Sequence, residues 1–299
     1  MTFQPYYIPL VVTLFLLSLE SVAKSFELSY QHQQQTKTIT VNQPSANRFE
    51  IARELPQQLS LVTLDWPPYI DRNLCDKGWV FTLTAALFNE LGFGISVEFF
   101  PWARSVRMAE LGQADILFPE YFIEVTAPSD VIANSFRRNN LALSTPYAGG
   151  LIGLMSRENY KAKYDGTFQS IQGARIGVVR GYQNTPEFDK HLDLGFFNAI
   201  QARDDQQNLK LLLASRVDYI VADPNVVDYL LSHDEQGDKN QIKFIEPAFQ
   251  YNDFYYAISK RNAMWQSLQV KINAKLSEFE QGGTIKTIQQ NAGKCAPAN

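Results

Sequence analysis

The sequence predicts an α/β protein of two lobes, each built on an open sheet, with the chain crossing between the lobes twice. Short apolar runs alternate with helical stretches along most of the chain, and this rhythm is typical of sheets with helices on both faces. The alternation comes as two successive series. Residues 144–150 and 246–254 join the series, and there we expect the two crossings.

The composition is that of an ordinary globular protein. The 299 residues are 45% hydrophobic and 19% charged, which is enough apolar material for one large or two medium domains. A formal net charge of -4 leaves no basic face to neutralise phosphates. Nucleic acid is therefore not expected as a partner.

The N-terminus predicts export. Residues 8–19 form an apolar run that is followed by small residues ending at Ala23, as in a signal peptide cleaved near that residue. A membrane-spanning helix needs about 20 apolar residues, so residues 1–23 are predicted to be a signal peptide. No Lys or Arg precedes the apolar run, and an uncleaved N-terminal anchor stays open as the alternative.

Residues 24–58 are polar and rich in glutamine, without a sustained hydrophobic period. Because this composition is typical of a linker, we expect a polar leader here. The packed fold is expected to start near Leu59.

Cys75 and Cys295 are the two cysteines of the chain. In an oxidising compartment an even number permits one disulfide, which would tie the C-terminal tail to an early loop. Pairing requires Cα atoms within about 7 Å, a condition that the sequence does not reveal. A disulfide and two free thiols both stay open.

The first series predicts a lobe in the order strand, helix, strand, helix, strand. The predicted strands are residues 59–64, 95–100 and 115–118. The predicted helices are residues 80–91 and 103–111. Gly92 and Gly112 follow these helices, as glycine often does at helix ends. An irregular stretch then leads to residue 140, and segment 141–147 leads into the first crossing.

The second series predicts the other lobe and a return to the first. Its predicted strands are residues 151–156, 175–179 and 219–222, and its predicted helices are 185–192 and 205–214. Two final helices, 264–280 and 284–291, are expected to pack back on the first lobe. Lobe 1 is thus predicted to comprise residues 59–147 and 249–299, and lobe 2 residues 148–248.

Six short segments carry a resemblance to a known family. They are LDWPPY (64–69), PWAR (101–104), LGQAD (111–115), LSTPY (143–147), GARIGVVRGY (173–182) and ASRVDYIVAD (214–223). In this order and spacing they resemble the bacterial extracellular solute-binding proteins of family 3, the amino-acid-binding type with the type II periplasmic-binding fold. The resemblance covers residues 59–293.

The resemblance implies two lobes on a hinge that closes around a small polar ligand, an amino acid or a related amine. It implies a monomeric periplasmic protein without a cofactor, which serves a membrane permease in an ABC-type uptake system. A ligand-sensing partner of a membrane receptor is the alternative.

The loop after the first strand is expected to form one wall of the ligand site. Pro67 and Pro68 stiffen this loop, and the resemblance assigns Trp66 to the cleft, with Asp65 and Tyr69 beside it. A surface turn capped by buried aromatic rings is the alternative.

Trp102 matches the residue that covers the ligand in this family, and its ring face can hold a cationic or apolar group. Arg104 is a candidate contact or a solvated brace at the cleft rim. Glu120 stands where the family uses small hydroxyl residues for the α-amino group. Since a carboxylate is a stronger partner for an ammonium, Glu120 favours a cationic ligand.

Arg137 matches the spacing of the family's arginine for the α-carboxylate, a few residues before the crossing at Ser144. A guanidinium binds both oxygens of a carboxylate. Arg138 is adjacent, so the assignment is open by one residue, and a surface arginine pair is the alternative. Ser144 itself is a candidate ligand contact.

Gly181 ends a predicted strand and opens a helix, so its neighbourhood offers free backbone N–H groups to an anion. Tyr182 and Gln183 stand where family members carry Ser or Thr, and both are candidate ligand contacts. Arg180 and Asn184 are secondary candidates.

Asp223 follows the predicted strand 219–222, at the sheet edge where ligands bind in open α/β sheets. The resemblance assigns an Asp at this position to the α-amino group. Capping of a helix that starts at Pro224 is the alternative, and one side chain can serve both roles.

The sequence carries no recognised catalytic or metal-binding signature. The histidines, His32, His191 and His233, lie at no useful spacing from a nucleophile or a second metal-type ligand. An enzyme is therefore not expected. A dehydratase-like enzyme on the same fold, with Glu120 as general acid or base, is the alternative.

Overall fold

The computed structural model describes residues 24–234 and 238–295. These residues form one sheet of eight strands and one of five, with helices packed against both. The predicted signal peptide, residues 1–23, lies outside the described part of the chain. Among the helices of the described residues, none combines the length and the apolar character needed to span a membrane.

The strands and helices alternate along most of the chain. The strands are β1 (Lys24–His32), β2 (Gln35–Ser45), β3 (Arg48–Ile51), β4 (Gln58–Thr63), β5 (Gly94–Phe99), β6 (Ile116–Glu120), β7 (Leu141–Leu143), β8 (Gly149–Arg157), β9 (Arg175–Val179), β10 (Asn198–Ala202), β11 (Tyr219–Ala222), β12 (Ile242–Asp253) and β13 (Tyr255–Ser259). The helices are α1 (Trp79–Glu90), α2 (Trp102–Glu110), α3 (Arg137–Asn140), α4 (Pro186–Asp193), α5 (Asp205–Leu213), α6 (Pro224–Ser232), α7 (Trp265–Gln281) and α8 (Thr284–Asn291).

Lobe 1 is built on the eight-stranded sheet, whose strand order is β1-β2-β3-β5-β4-β6-β13-β7. Strand β4 runs parallel to both of its neighbours, β5 and β6, and apolar residues such as Leu61 and Val97 are buried. Helix α1 is buried from Trp79 to Phe88, because it contacts the sheet as well as α7 and α8.

Lobe 2 is built on the five-stranded sheet, whose strand order is β10-β9-β11-β8-β12. Successive residues of β11 point to opposite faces. Tyr219 and Val221 join an apolar cluster that contains Phe188, whereas Ile220 joins another that contains Leu212. Helices therefore cover both faces, as the α/β prediction requires.

The chain passes between the lobes twice. Strand β7 ends at Leu143 in the larger sheet and β8 begins at Gly149 in the smaller one. The return runs from Asp253, the end of β12, to Tyr255, the start of β13. The predicted two-lobed fold with two crossings is confirmed. Pairing of β12 with β8 continues to Asp253, so the smaller sheet extends past the predicted range 148–248.

The prediction of a polar leader at residues 24–58 is wrong. Strands β1 and β2 form an antiparallel hairpin, and β3 connects it to β5. The glutamines that suggested a linker lie in or beside the hairpin turn, where Gln33 and Gln34 adopt positive φ. The strands on either side alternate buried and exposed residues, and the buried ones include Leu28, Tyr30, Ile39 and Val41.

The C-terminal helices pack on lobe 1. Helix α8 contacts β1 and α1, and α7 contacts β13. His32, which the sequence placed in the leader, is buried beside α8, with its Nδ1 3.0 Å from Thr284 Oγ1. A disulfide joins Cys75, in the loop before α1, to Cys295. The tail is thus tied to an early loop of the same lobe.

Candidate functional site

A small cavity lies between the two lobes. Its volume is about 20 Å³, and its lining residues are Leu64, Trp66, Trp102, Pro119, Glu120, Tyr121, Tyr182, Gln183 and Phe254. Tyr182 and Gln183 belong to lobe 2, and the others belong to lobe 1 or the second crossing. A volume of this size holds about one water molecule.

The ends of two central strands position the lobe 1 side of the cavity. Trp66 follows β4, and Glu120 is the last residue of β6. Because β4 and β6 are parallel neighbours, their carboxyl ends lie at the same sheet edge, where open α/β sheets bind ligands. Trp102 is the first residue of α2, and Tyr182 follows β9 on the lobe 2 side.

Aromatic rings surround the cavity. The ring centroid of Trp66 lies 5.8 Å from that of Tyr121 and 5.4 Å from that of Phe254, in edge-on contacts. Across the lobes, the ring centroids of Trp102 and Tyr182 are 6.1 Å apart, with the rings nearly perpendicular. Since ring faces carry partial negative charge, these walls suit a cation or an apolar group.

Glu120 is the carboxyl group of the cavity, and 2% of the residue is exposed. Its Oε1 accepts a hydrogen bond from the N–H of Tyr121 at 2.9 Å, whereas its Oε2 is buried without a partner. Burial raises the pKa of Glu120 to about 8, although the charge of Arg137 opposes the rise. At neutral pH this carboxyl group therefore holds a proton unless a positive partner favours its ionised form.

Three donors on the lining residues are also buried without a partner. They are the indole Nε1 groups of Trp66 and Trp102 and the hydroxyl of Tyr121. An unpaired buried polar group costs about 1–3 kcal/mol. On the residues that line the cavity, one carboxyl oxygen and three donors are thus buried without a protein partner.

Asp223 lies beside the cavity and is bonded across the lobes to Tyr69. The Tyr69 hydroxyl donates to Asp223 Oδ2 at 2.9 Å and accepts from Asn225 Nδ2 at 2.9 Å. Asp223 Oδ1 accepts from the N–H of Asn225 at 2.7 Å, so this side chain caps α6. Burial raises the pKa of Asp223 to about 6. The Tyr69 hydroxyl is thus hydrogen-bonded to Asp223 Oδ2. The sequence analysis assigned this side chain to a ligand amine.

Arg137 is buried at a second contact between the lobes. Its Nη1 donates to the Gly181 carbonyl at 2.9 Å and its Nη2 donates to Asp130 Oδ2 at 2.7 Å, while its Nε lies 3.8 Å from Glu110 Oε1. It does not line the small cavity but a larger groove of about 770 Å³. Protein acceptors therefore hold both terminal nitrogens that were predicted to bind a ligand carboxylate. Neighbouring Arg138 donates to the Ile123 carbonyl at 3.1 Å.

Tyr182 connects the cavity to a second buried acid of lobe 2. Its hydroxyl donates to Asp205 Oδ2 at 2.6 Å. Burial raises the pKa of Asp205 to about 7. Together with Glu120 and Asp223, this residue gives the region between the lobes an excess of carboxyl groups.

The structure brings together five of the predicted site residues and leaves others apart. The five that line the small cavity are Trp66, Trp102, Glu120, Tyr182 and Gln183. Three others make local contacts instead. Asp65 pairs with Arg72 at 2.6 Å, Arg104 lies over the ring of Phe100 at 4.1 Å, and Ser144 donates to the Thr145 carbonyl at 2.7 Å.

Tyr121 and Phe254 were missed by sequence reasoning. Tyr121 directly follows Glu120, and a tyrosine next to a candidate ligand carboxylate was a usable signal. Phe254 lies at the second crossing within an aromatic run from Tyr251 to Tyr256. Its contact with Trp66 depends on how the crossing folds back, which no local pattern indicates.

No family model matches the sequence, and no curated protein does. A mutant of ArgBP from T. maritima is 15% identical, with a TM-score of 0.63 over 80% of this chain and 96% of that chain. An ancestral arginine-binding protein bound to arginine is 18% identical, with a TM-score of 0.64 over 80% of this chain and 99% of that chain.

A third solved structure comes from a signalling protein. It is a histidine kinase sensor domain with similarity to periplasmic binding proteins, 16% identical, with a TM-score of 0.65 over 80% of this chain and 97% of that chain. At these identities the likeness shows the fold. The chain has the two-lobed, type II periplasmic-binding-protein-like fold.

Proposed function

We propose that this chain is an exported solute-binding protein that captures a small polar ligand, an amino acid or a related amine, between its lobes. The observation that carries the proposal is the cavity lined from both lobes, where Glu120 Oε2 and three donors are buried without partners. Buried polar groups are normally paired, so their clustering favours a binding site.

The proposed mechanism is hinge closure about the two crossings. Lobe 1 supplies most of the lining, including Trp66, Trp102 and Glu120, so it is expected to bind the ligand first. Closure then adds Tyr182 and Gln183 from lobe 2. Because these contacts form only in the closed state, the ligand shifts the equilibrium towards closure.

The proposed setting is the periplasm, where the monomeric closed protein would be recognised by a membrane permease of an ABC-type uptake system. The predicted signal peptide supports this setting. The cavity supplies no reason to propose a cofactor.

A screen for ligand-induced stabilisation tests the proposal. Amino acids, amines and small peptides would be added to the mature protein, and the unfolding temperature measured for each. A ligand at about 100 times its Kd adds about 2.7 kcal/mol to the free energy of unfolding. A panel in which no compound raises the unfolding temperature, confirmed by calorimetry at millimolar concentrations, would contradict solute binding.

A sensing role is the second candidate, and the sensor-domain neighbour favours it. In that case the closed protein would bind a receptor ectodomain and not a permease. Affinity capture from membranes with and without ligand distinguishes the two roles, since the ligand-dependent partner differs.

A dehydratase-like enzyme is the third candidate, since the raised pKa of Glu120 suits a general acid or base. Incubating the purified protein with its best ligand and analysing the mixture by mass spectrometry tests this role. Loss of water from the ligand supports an enzyme, and recovery of unchanged ligand supports a binding protein.

A further inference from the structure

The two crossings between the lobes are hydrogen-bonded to each other at Phe254. This residue lies between the end of β12 and the start of β13, in the second crossing. Its backbone N–H donates to the Ala148 carbonyl at 2.6 Å, and its carbonyl accepts from the N–H of Tyr147 at 3.1 Å. Tyr147 and Ala148 belong to the first crossing, between β7 and β8. The two segments about which the lobes would rotate are therefore joined at Phe254.

The side chain of Phe254 is fully buried among aromatic rings. Its ring centroid lies between 5.0 and 6.3 Å from those of its neighbours Trp66, Tyr69, Trp79, Tyr121 and Tyr147. These separations are within the range of favourable ring pairs, about 4.5–7 Å. Because protein interiors are closely packed, these contacts fix the direction in which the second crossing enters lobe 1.

One of these ring contacts leads to the bond between the lobes. The rings of Phe254 and Tyr69 meet edge-on, with centroids 5.0 Å apart and planes at 83°. The Tyr69 hydroxyl donates to Asp223 in lobe 2. Since a hydrogen bond weakens steeply when its donor and acceptor are misaligned, this bond depends on how the Tyr69 ring is held. Phe254 also lines the small cavity, so the cavity wall, the crossings and the interlobe bond meet at this residue.

We propose that Phe254 is a positioning residue for lobe closure, which joins the two crossings and holds the Tyr69 ring so that its hydroxyl reaches Asp223. The inference rests on the proposed function, because it assigns one residue to the hinge closure proposed there. A phenylalanine that only fills the core would stabilise the fold without setting the angle between the lobes. Phe88 is such a residue, since it lies in α1, is equally buried, and has its ring centroid 6.0 Å from that of Tyr256.

Leucine substitutions at the two phenylalanines separate these roles. Phe254→Leu and Phe88→Leu each remove a buried ring, so both are expected to lower the midpoint of urea unfolding. Only Phe254→Leu is expected to raise the radius of gyration of the ligand-free protein in small-angle X-ray scattering. The rise should equal that of Tyr69→Phe, which removes the hydroxyl itself, because both changes weaken the bond to Asp223.

Wild-type scattering from Phe254→Leu, or an equal rise in the radius of gyration from Phe88→Leu, would overturn the inference. No ligand takes part in this measurement. Either result therefore leaves solute binding intact, and the screen for ligand-induced stabilisation tests that function separately.

A double variant tests whether Phe254 acts through Tyr69. Phe254→Leu combined with Tyr69→Phe is expected to scatter like Tyr69→Phe alone, because the interlobe bond is already lost in that background. Additive opening in the double variant would show that Phe254 acts independently of Tyr69, which contradicts a positioning role.

Hydrogen exchange of the wild-type protein decides the matter should Phe254→Leu fail to fold. The amides of Tyr147 and Phe254 donate the bonds that join the crossings, and rotation about an intact joint leaves both bonds formed. By NMR, both amides are expected to exchange as slowly as that of Ala257, which is buried in β13. Exchange as fast as at the exposed turn residue Gln34 would show that the crossings separate, and would overturn the inference.

Discussion

The hydroxyl of Tyr69 in lobe 1 donates a 2.9 Å hydrogen bond to Asp223 in lobe 2, and the bond is buried. It connects the two lobes directly. Together with the bond from Arg137 to the Gly181 carbonyl, it holds the lobes together through protein groups alone. A ligand amine bound to Asp223 Oδ2 would have to displace the Tyr69 hydroxyl.

Removing the Tyr69 hydroxyl is expected to shift the ligand-free protein towards the open state. Tyr69→Phe leaves Asp223 Oδ2 without its donor, which costs the closed state about 1–3 kcal/mol. Small-angle X-ray scattering measures the change as a larger radius of gyration. Tyr164→Phe, which alters a tyrosine at the edge of the lobe 2 core, is the control. Identical scattering from Tyr69→Phe and the control would show that the bond does not hold the lobes together.

Gly150 leaves room for the same interlobe bond. A Cβ at this position would lie 2.0 Å from Asp223 Oδ2 and 2.7 Å from the Tyr69 hydroxyl, so Gly150→Ala must displace one of them. We expect it to open the ligand-free protein as Tyr69→Phe does. Because both changes act on one contact, the double variant should scatter like either single variant. Additive opening in the double variant would contradict a shared contact.

The free energy of unfolding is expected to fall as pH rises from 4.5, the ordinary pKa of Glu120, to about 8, its pKa in the folded protein. Its pKa is raised from 4.5 to about 8 by burial and by Glu110, against the opposing effects of Arg137 and the Tyr121 N–H. Between these values the folded state keeps a proton that the unfolded chain loses, so the free energy of unfolding decreases with pH. Asp205 and Asp223, with pKa values raised to about 7 and about 6, act in the same direction.

Urea unfolding at several pH values measures this dependence. Glu120→Gln removes the titrating group and is expected to flatten the fall in the free energy of unfolding between about pH 6 and about pH 8. Glu280→Gln should keep the wild-type slope, since Glu280 is exposed. An unchanged slope in Glu120→Gln would show that Glu120 titrates near its ordinary pKa.

Arg137 is expected to stabilise the fold more than an exposed arginine does. Arg137→Met breaks the bonds to Gly181 and Asp130 and leaves Glu110 buried beside an apolar side chain. Removing one partner of a buried ion pair costs about 3–5 kcal/mol, which guanidinium denaturation would measure. Arg104→Met, at an exposed arginine, is the control. A loss for Arg137→Met no larger than for Arg104→Met would contradict a structural role.

Much of the fold could be predicted from the sequence because each lobe repeats a local strand and helix rhythm. The hairpin of β1 and β2 could not, since the glutamines at its turn masked the alternation of buried residues such as Leu28 and Tyr30. Glu120, Trp66 and Trp102 were predicted as ligand contacts from the family resemblance, and all three line the small cavity. The bonds from Arg137 to Gly181 and from Tyr69 to Asp223 were not, because these partners come from the other lobe, and no local pattern shows which residues meet across a hinge.

A crystal structure of the protein grown with its tightest-binding ligand tests the central claim most directly. Ligand density is expected between the rings of Trp66 and Trp102, with a ligand nitrogen within hydrogen-bonding distance of Glu120. Density in the larger groove beside Arg137 and Asp189, with the small cavity unchanged, would contradict it.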